Sequence, residues 1–175
     1  RCLAHNGEIN TLLGNVNWQR ALDAVRPISP LYLPCISRAS PLYLPLHLSY
    51  QVRERRDPLC SLARSDSSNL DAVFENLLRN GKTPAMSLSM LVPEAYRDQP
   101  DYDHLPEVVD MFEYYAGQQE PWDGPALLIF CDGKQLGASL DRNGLRPARF
   151  LRTDDGIIGF MSETGVIDAE DEEIV

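Results

Sequence analysis

Ala126-Leu127-Leu128-Ile129-Phe130-Cys131-Asp132-Gly133 is a run of six apolar residues stopped by a tight-turn dipeptide. Six residues is strand length, and apolar side chains on both faces of the pleat predict a central strand between two layers. Asp-Gly supplies the backbone angles of a short hairpin, so Lys134–Leu140 is expected to return beside it. Residues 148–153 and 157–162 read as a second hairpin around Asp154-Asp155-Gly156, with Asp141–Pro147 as a loop of turn formers. The C-terminal third is therefore expected to be an antiparallel meander.

Upstream the period changes to that of helices. Leu70, Val73, Phe74, Leu77 and Leu78 follow i, i+3, i+4, i+7, i+8, and Gly81 stops the helix. Thr83-Pro84 gives an N-cap and a first-turn proline for a helix to about Leu91. Another starts near Pro106 and is expected to bury Val108, Val109, Phe112 and Tyr115. Near the start, Cys2-Leu3-Ala4 reads as the end of a buried strand and His5-Asn6-Gly7-Glu8 as a turn. Asn10-Thr11 then caps a helix to about Val25, with Leu12, Leu13, Trp18, Ala21 and Leu22 as its apolar side. Helices over antiparallel strands predict an α+β layered domain.

Residues 26–64 break the pattern. Ser29-Pro30-Leu31-Tyr32-Leu33-Pro34 recurs unchanged as Ser40-Pro41-Leu42-Tyr43-Leu44-Pro45, and six prolines preclude a long helix. The stretch reads as an irregular insertion looping out at the surface, with a tandem duplication or translated non-coding sequence as the alternative.

A net charge of −10 repels phosphate backbones and anionic lipid, which argues against nucleic-acid and membrane-surface partners. No apolar run approaches the roughly 20 residues that span a bilayer. No leader is legible at Arg1, and the sequence reads as if it begins inside a domain. Cys2, Cys35, Cys60 and Cys131 form no CxxC pair and no metal-ligand spacing with a histidine.

The sharpest chemical signal is His5-Asn6-Gly7-Glu8-Ile9-Asn10. An asparagine side-chain amide beside a glycine backbone amide offers two donors that can converge on one developing oxyanion. Glycine leaves room for the ligand atom. Asn-Gly is also a common tight-turn dipeptide, so by itself it is equally a plain turn. Ser65-Asp66 opens the strongest helix, where Asp66 is either an N-cap or, with Ser65 capping, a carboxylate free for a ligand ammonium. His5 reads as orienting or packing behind the turn. The arginines of the 141–149 loop could line a pocket or brace the loop.

Taken together, Ala4–Thr11, Ser65–Asp71, Leu91–Tyr96, Glu120–Ala126, Asp141–Arg149 and Ser162–Gly165 resemble, in order, the glutaminase domain of the glutamate synthases, a class II glutamine amidotransferase. Pro106–Asp110 and Tyr114-Tyr115 look like the ferredoxin-dependent branch. The resemblance implies a partial four-layer αββα N-terminal-nucleophile sandwich over residues 1–175, with 26–64 inserted. It implies hydrolysis of L-glutamine to glutamate and ammonia, the ammonia serving reductive amination of 2-oxoglutarate by synthase domains of a longer chain. It also implies ferredoxin or another electron donor, with FMN and an iron–sulfur cluster carried elsewhere and none on these residues, in a plastid stroma or bacterial cytoplasm. By resemblance Asn6 and Gly7 form the oxyanion hole and Asp66 binds the substrate's α-ammonium.

The family's nucleophilic cysteine and the arginine for the substrate carboxylate precede the His-Asn-Gly-Glu motif, so neither is expected among these residues. Cys2 does not replace the nucleophile: a four-residue extended step puts it about 13 Å from Asn6. The 175 residues alone are therefore expected to be inactive. The purine-pathway and asparagine-forming members of the class fit the Glu120–Pro125 and Asp141–Pro147 blocks poorly. An inactive structural or amino-acid-binding domain is the remaining alternative.

Overall fold

A computed structural model describes residues 2–25 and 58–167. Five strands and four α-helices follow one another: β1 (Leu3–Gly7), α1 (Leu12–Val25), α2 (Asp66–Arg79), α3 (Pro84–Leu91), α4 (Pro106–Ala116), β2 (Ala126–Cys131), β3 (Leu136–Leu140), β4 (Arg149–Arg152) and β5 (Ile158–Met161). Both sheets are antiparallel, one with order β1-β2-β3 and one formed by β4-β5 alone.

The apolar run is the central strand, as expected. Leu128 and Leu127, on opposite faces of β2, are 0% and 2% exposed. The hairpin to β3 closes where Asp132 Oδ1 accepts the amides of Lys134 and Gln135. The β4-β5 hairpin also forms, but it does not extend the meander. The other neighbour of β2 is β1, from the far end of the sequence, in the register Leu3↔Phe130 to Gly7↔Ala126.

That pairing overturns the turn expected at residues 5–8, because His5, Asn6 and Gly7 all lie on the strand. Asn6 stands opposite Leu127 at a hydrogen-bonding position of the ladder, and Glu8 N–H continues the pairing to the Pro125 carbonyl at 3.1 Å. A buried main chain with partners at hand stays extended.

Helix α2 covers one face of this sheet. Leu70, Val73, Phe74 and Leu77 are buried with Leu3, Leu128 and Phe130, and the rings of Phe74 and Phe130 lie 6.0 Å apart. Asp71 ties helix to strand, its Oδ1 accepting the amides of Cys2 and Leu3 at 2.8 Å each. The caps are those expected: Ser65 accepts from Ser68 N–H, Thr83 from Met86 N–H, and Gly81 has φ +82° at the end of α2. In α4, Phe112 and Tyr115 are buried while Val108 and Val109 are only half-buried.

Helix α1 meets its expected apolar side only in part. Leu12 packs against the core and Leu22 is half-buried, but Leu13 and Trp18 are 62% and 54% exposed, while Asn15, Val16 and Gln19 are buried. Buried amides are tolerated when paired. Asn15 Nδ2 donates to the Pro121 carbonyl at 2.8 Å, and Gln19 Nε2 to Asp23 Oδ1 at 2.9 Å.

The repeat within 26–64 lies outside the described residues. The end of that stretch, residues 58–64, does not loop out. Cys60 is fully buried, Leu59 N–H donates to Asp23, and Ser61 N–H donates to Asn69 Oδ1 at 2.9 Å. The side chain of Asn69, itself buried, also donates to the Ser61 carbonyl at 2.9 Å and so holds this segment against α2.

Candidate functional site

Side chains alternate across β1. Leu3 and His5 face α2, with the His5 side chain only 2% exposed. Asn6 is exposed on the opposite face, with Ala4. Even-numbered residues pair with β2, as Glu8 and Asn10 do through their amides and Cys2 through its carbonyl. By the antiparallel rule, the amides of residues 3, 5, 7 and 9 then point away from β2, to the free edge of the sheet. The Asn6 side chain thus stands on the face away from α2, and the Gly7 amide beside it points to the sheet edge that is free among the described residues.

Only glycine fits at position 7. Its φ is +142°, and a Cβ would stand 1.8 Å from the Pro125 carbonyl oxygen. Gly124 is restricted in the same way, a Cβ there falling 1.9 Å from the Glu8 carbonyl oxygen. The two chains cross here in contact.

Asp66 sits at the same edge. As the first residue of α2, with Ser65 capping, its carboxylate is turned to β1. Oδ2 accepts Ile9 N–H at 3.1 Å, and Oδ1 accepts Ser67 N–H at 2.6 Å. Burial would raise its pKa, but the amides of Ile9 and Ser67, the His5 ring and the Ser67 hydroxyl more than offset that and hold it below the usual carboxylate range. Ile9 and Gly7 are two residues apart on an extended chain, so their edge amides lie roughly 7 Å apart. His5 lies behind the strand, as expected. Its Nε2 is 2.8 Å from Ser67 Oγ and 3.7 Å from Asp66 Oδ2, while Nδ1 is buried and has no hydrogen-bond partner among the described residues.

Sequence blocks far apart in the chain converge on the other side of β1, beside the start of β2. The Asp123 carbonyl accepts Asn10 N–H at 2.8 Å, and Thr11 Oγ1 accepts Asp123 N–H at 3.0 Å. Trp122, 1% exposed, donates its amide to the Leu91 carbonyl at 2.6 Å. Sequence reading left the 141–149 loop outside the site and missed its organiser, Asp141. That carboxylate is 6% exposed and accepts the amides of Ala126, Asn143, Leu145 and Arg146. Burial would raise its pKa, but these amides lower it below the usual carboxylate range. The loop is braced by an aspartate more than by arginines, although Arg142 does pair with Asp123 at 3.5 Å. Asp-Arg-Asn-Gly was the available signal, since an aspartate ahead of turn formers commonly accepts the following amides. A cavity of about 290 Å³ opens beside this junction, with Asn10, Asp123, Pro125, Arg142 and Asn143 among its lining. Neither Asn6 nor Asp66 lines it. Ser162–Gly165 makes no recorded hydrogen bond to this junction among the described residues.

Cys2 and Cys60 are not poised to attack as thiolates. Burial pushes the Cys60 thiol up to about 12, and burial, followed by the Asp71 charge, also raises that of Cys2. Among the described residues no three His, Cys, Asp or Glu side chains group as a metal site needs. Among them, too, no helix is long and apolar enough to cross a membrane.

The family model described as class-II glutamine amidotransferases matches residues 1–175. A ferredoxin-dependent glutamate synthase of Antithamnion sp. is 47% identical over 175 residues, covering 100% of this chain and 10% of the relative. Ferredoxin-dependent glutamate synthase 2 of Synechocystis sp. is also 47% identical over 175 residues with the same coverage. The chloroplastic enzyme of Oryza sativa subsp. japonica is 46% identical over 176 residues, again covering 100% of this chain and 10% of the relative. The chain thus spans about a tenth of the length of these relatives.

Proposed function

The chain belongs to the class II glutamine amidotransferases, and from that premise we propose that it forms the oxyanion and ammonium-binding side of a glutaminase site. The observation that carries this reading is the shared rim. Asn6 and Gly7 stand on β1, and the Asp66 carboxylate is fixed at the same free edge by Ile9 N–H at 3.1 Å. Extended glutamine places its α-nitrogen about 5 Å from its side-chain carbonyl carbon. That length suits a ligand lying between Asp66 and the Gly7 amide.

In this reading a cysteine thiolate from outside the described residues attacks the glutamine side-chain carbonyl. The carbonyl oxygen gains negative charge and is held by Asn6 Nδ2 and Gly7 N–H. The leaving nitrogen takes up the proton that the thiol gave up on forming the thiolate, the C–N bond breaks and ammonia departs, leaving a thioester that water cleaves to glutamate and the free thiol. Asp66 supplies no proton. It fixes the substrate's positive end so that the reacting carbonyl meets the two donors.

The names of the relatives support a wider assignment: ammonia made here serves a glutamate synthase that draws electrons from ferredoxin. The family resemblance adds FMN and an iron–sulfur cluster, carried on other domains. Chloroplastic and cyanobacterial relatives support a plastid or bacterial setting. A second reading is an amino-acid-binding domain that does not hydrolyse.

The test is glutamine hydrolysis by the full open reading frame that carries these residues, with and without Asn6→Ala. Collapse of turnover in the variant supports the glutaminase reading, and unchanged turnover overturns it. Binding of glutamine without hydrolysis by the unaltered protein overturns it in favour of the second reading.

A further inference from the structure

Asp66 is held more completely than a ligand-binding carboxylate needs to be. An ionised carboxylate offers about four acceptor positions, two on each oxygen. Oδ1 takes Ser67 N–H at 2.6 Å and lies 3.3 Å from Ser67 Oγ. Oδ2 takes Ile9 N–H at 3.1 Å. With the Ser67 hydroxyl donating to Oδ1, one acceptor position remains, and it is on Oδ2.

The donor that frees the hydroxyl for this task is His5. Ser67 Oγ is 2.8 Å from His5 Nε2, and among the described residues the buried His5 Nδ1 has no partner. Two proton arrangements are possible. If Ser67 donated to Nε2, the ring's hydrogen would sit on Nδ1 as a buried, unpaired donor, the rarer and costlier kind of orphan. If Nε2 carries the hydrogen, it donates to Ser67, Ser67 donates to Asp66, and Nδ1 is only an unused acceptor. The Asp66 charge 3.7 Å from Nε2 favours the same tautomer.

We propose that His5 and Ser67 are positioning residues that, through the relay Nε2–H to Oγ–H to Oδ1, present Asp66 to its ligand by Oδ2 alone. The inference rests on the reading of Asp66 as the ammonium site. It adds that the cation is read through one oxygen in one direction. A carboxylate free to rotate would offer several poses and hold the reacting carbonyl less well against the oxyanion donors. His5 itself touches no substrate in this scheme, being on the α2 side of the strand.

The test uses the full open reading frame carrying these residues, with glutamine as the probe. Glutamine Kd by calorimetry and steady-state glutaminase kinetics are compared for Ser67→Ala, His5→Leu, Ser67→Thr, His5→Gln and Asp66→Ala. Ser67→Ala and His5→Leu are expected to raise Kd and KM roughly 3- to 10-fold, with a smaller fall in kcat. Ser67→Thr keeps the hydroxyl and His5→Gln keeps an N–H near Nε2, so both should restore most of the affinity. If Asp66→Ala raises Kd while Ser67→Ala and His5→Leu do not, the relay is wrong and the reading of Asp66 stands. If Asp66→Ala itself leaves Kd unchanged, the ammonium site is wrong. Equal losses in all four relay variants with matching falls in Tm overturn the relay in favour of packing.

Discussion

The backbone amide of Ile9 donates to Asp66 Oδ2 at 3.1 Å, joining the end of β1 to the start of α2 across 57 positions of sequence. The carboxylate therefore serves the fold as well as the proposed ligand. Asp66→Asn separates the two roles, since it keeps a carbonyl oxygen for Ile9 but removes the charge. Both Asp66→Asn and Asp66→Ala should raise the glutamine KM by roughly 10- to 100-fold, the range of a charge-assisted hydrogen bond. Only Asp66→Ala should also lower Tm appreciably. Steady-state glutaminase assays and thermal melts check both.

Asn6 is exposed and takes no part in the core. Asn6→Ala should lower kcat by roughly 10²- to 10³-fold through loss of an oxyanion donor. Its unfolding curve should overlay that of the unaltered protein. A stable variant with undiminished glutamine turnover would remove Asn6 from the site.

Gly7 shows the opposite behaviour. A Cβ at this position meets the Pro125 carbonyl oxygen at 1.8 Å on a backbone with φ +142°. Gly7→Ala should cost more than about 2 kcal/mol of stability, read by urea unfolding. Gly124→Ala, which faces the Glu8 carbonyl at 1.9 Å, should be comparably harmful. The pair tests whether the crossing of these two chains is as close as described.

Much of this was legible in the sequence where the cause was local. The apolar run of β2, the Asp-Gly hairpins, the spacing in α2 and the Ser65 and Thr83 caps depend on near neighbours. Gly7 and Gly124 stood inside recognisable blocks. The misreadings all turn on distant partners. His5–Gly7 is strand because β2, more than a hundred residues later, pairs with it. Asn15 is buried because the Pro121 carbonyl accepts its side chain. The work of Asp141 and Ser67 depends on which amide or ring comes within reach after folding, and no periodicity encodes that.

Asp141 should make stability depend on pH. Its folded pKa is depressed, burial being outweighed by the amides of Leu145, Arg146, Asn143 and Ala126. Stability from this carboxylate is thus present above the unfolded pKa of about 3.9. It is lost as pH falls through the lower, folded value. Asp141→Asn should cost about 2–3 kcal/mol at pH 7. The gap to the unaltered protein should close as unfolding is followed down toward pH 3. A gap independent of pH would mean that the charge is not what holds the loop.

Thiol chemistry gives a check that needs no assay of function. Cys60 is fully buried and its thiol is pushed up to about 12, whereas Cys131 is exposed. Iodoacetamide at pH 8 should label Cys131 in the native protein and Cys60 only after denaturation. Peptide mass mapping distinguishes the two.

The free edge of β1 has a further consequence. An unpaired strand is an invitation to another strand, and proteins usually blunt it. Here two aspartates from one helix do so: Asp71 takes the amide of Leu3, and Asp66 that of Ile9. The rim is closed at both ends and left open in the middle, around Gly7. Among the described residues the two carboxylates leave only the short stretch around His5 and Gly7 for another strand to pair with, too little for a polypeptide to zip along, so the same helix that covers the sheet also guards its edge against self-association.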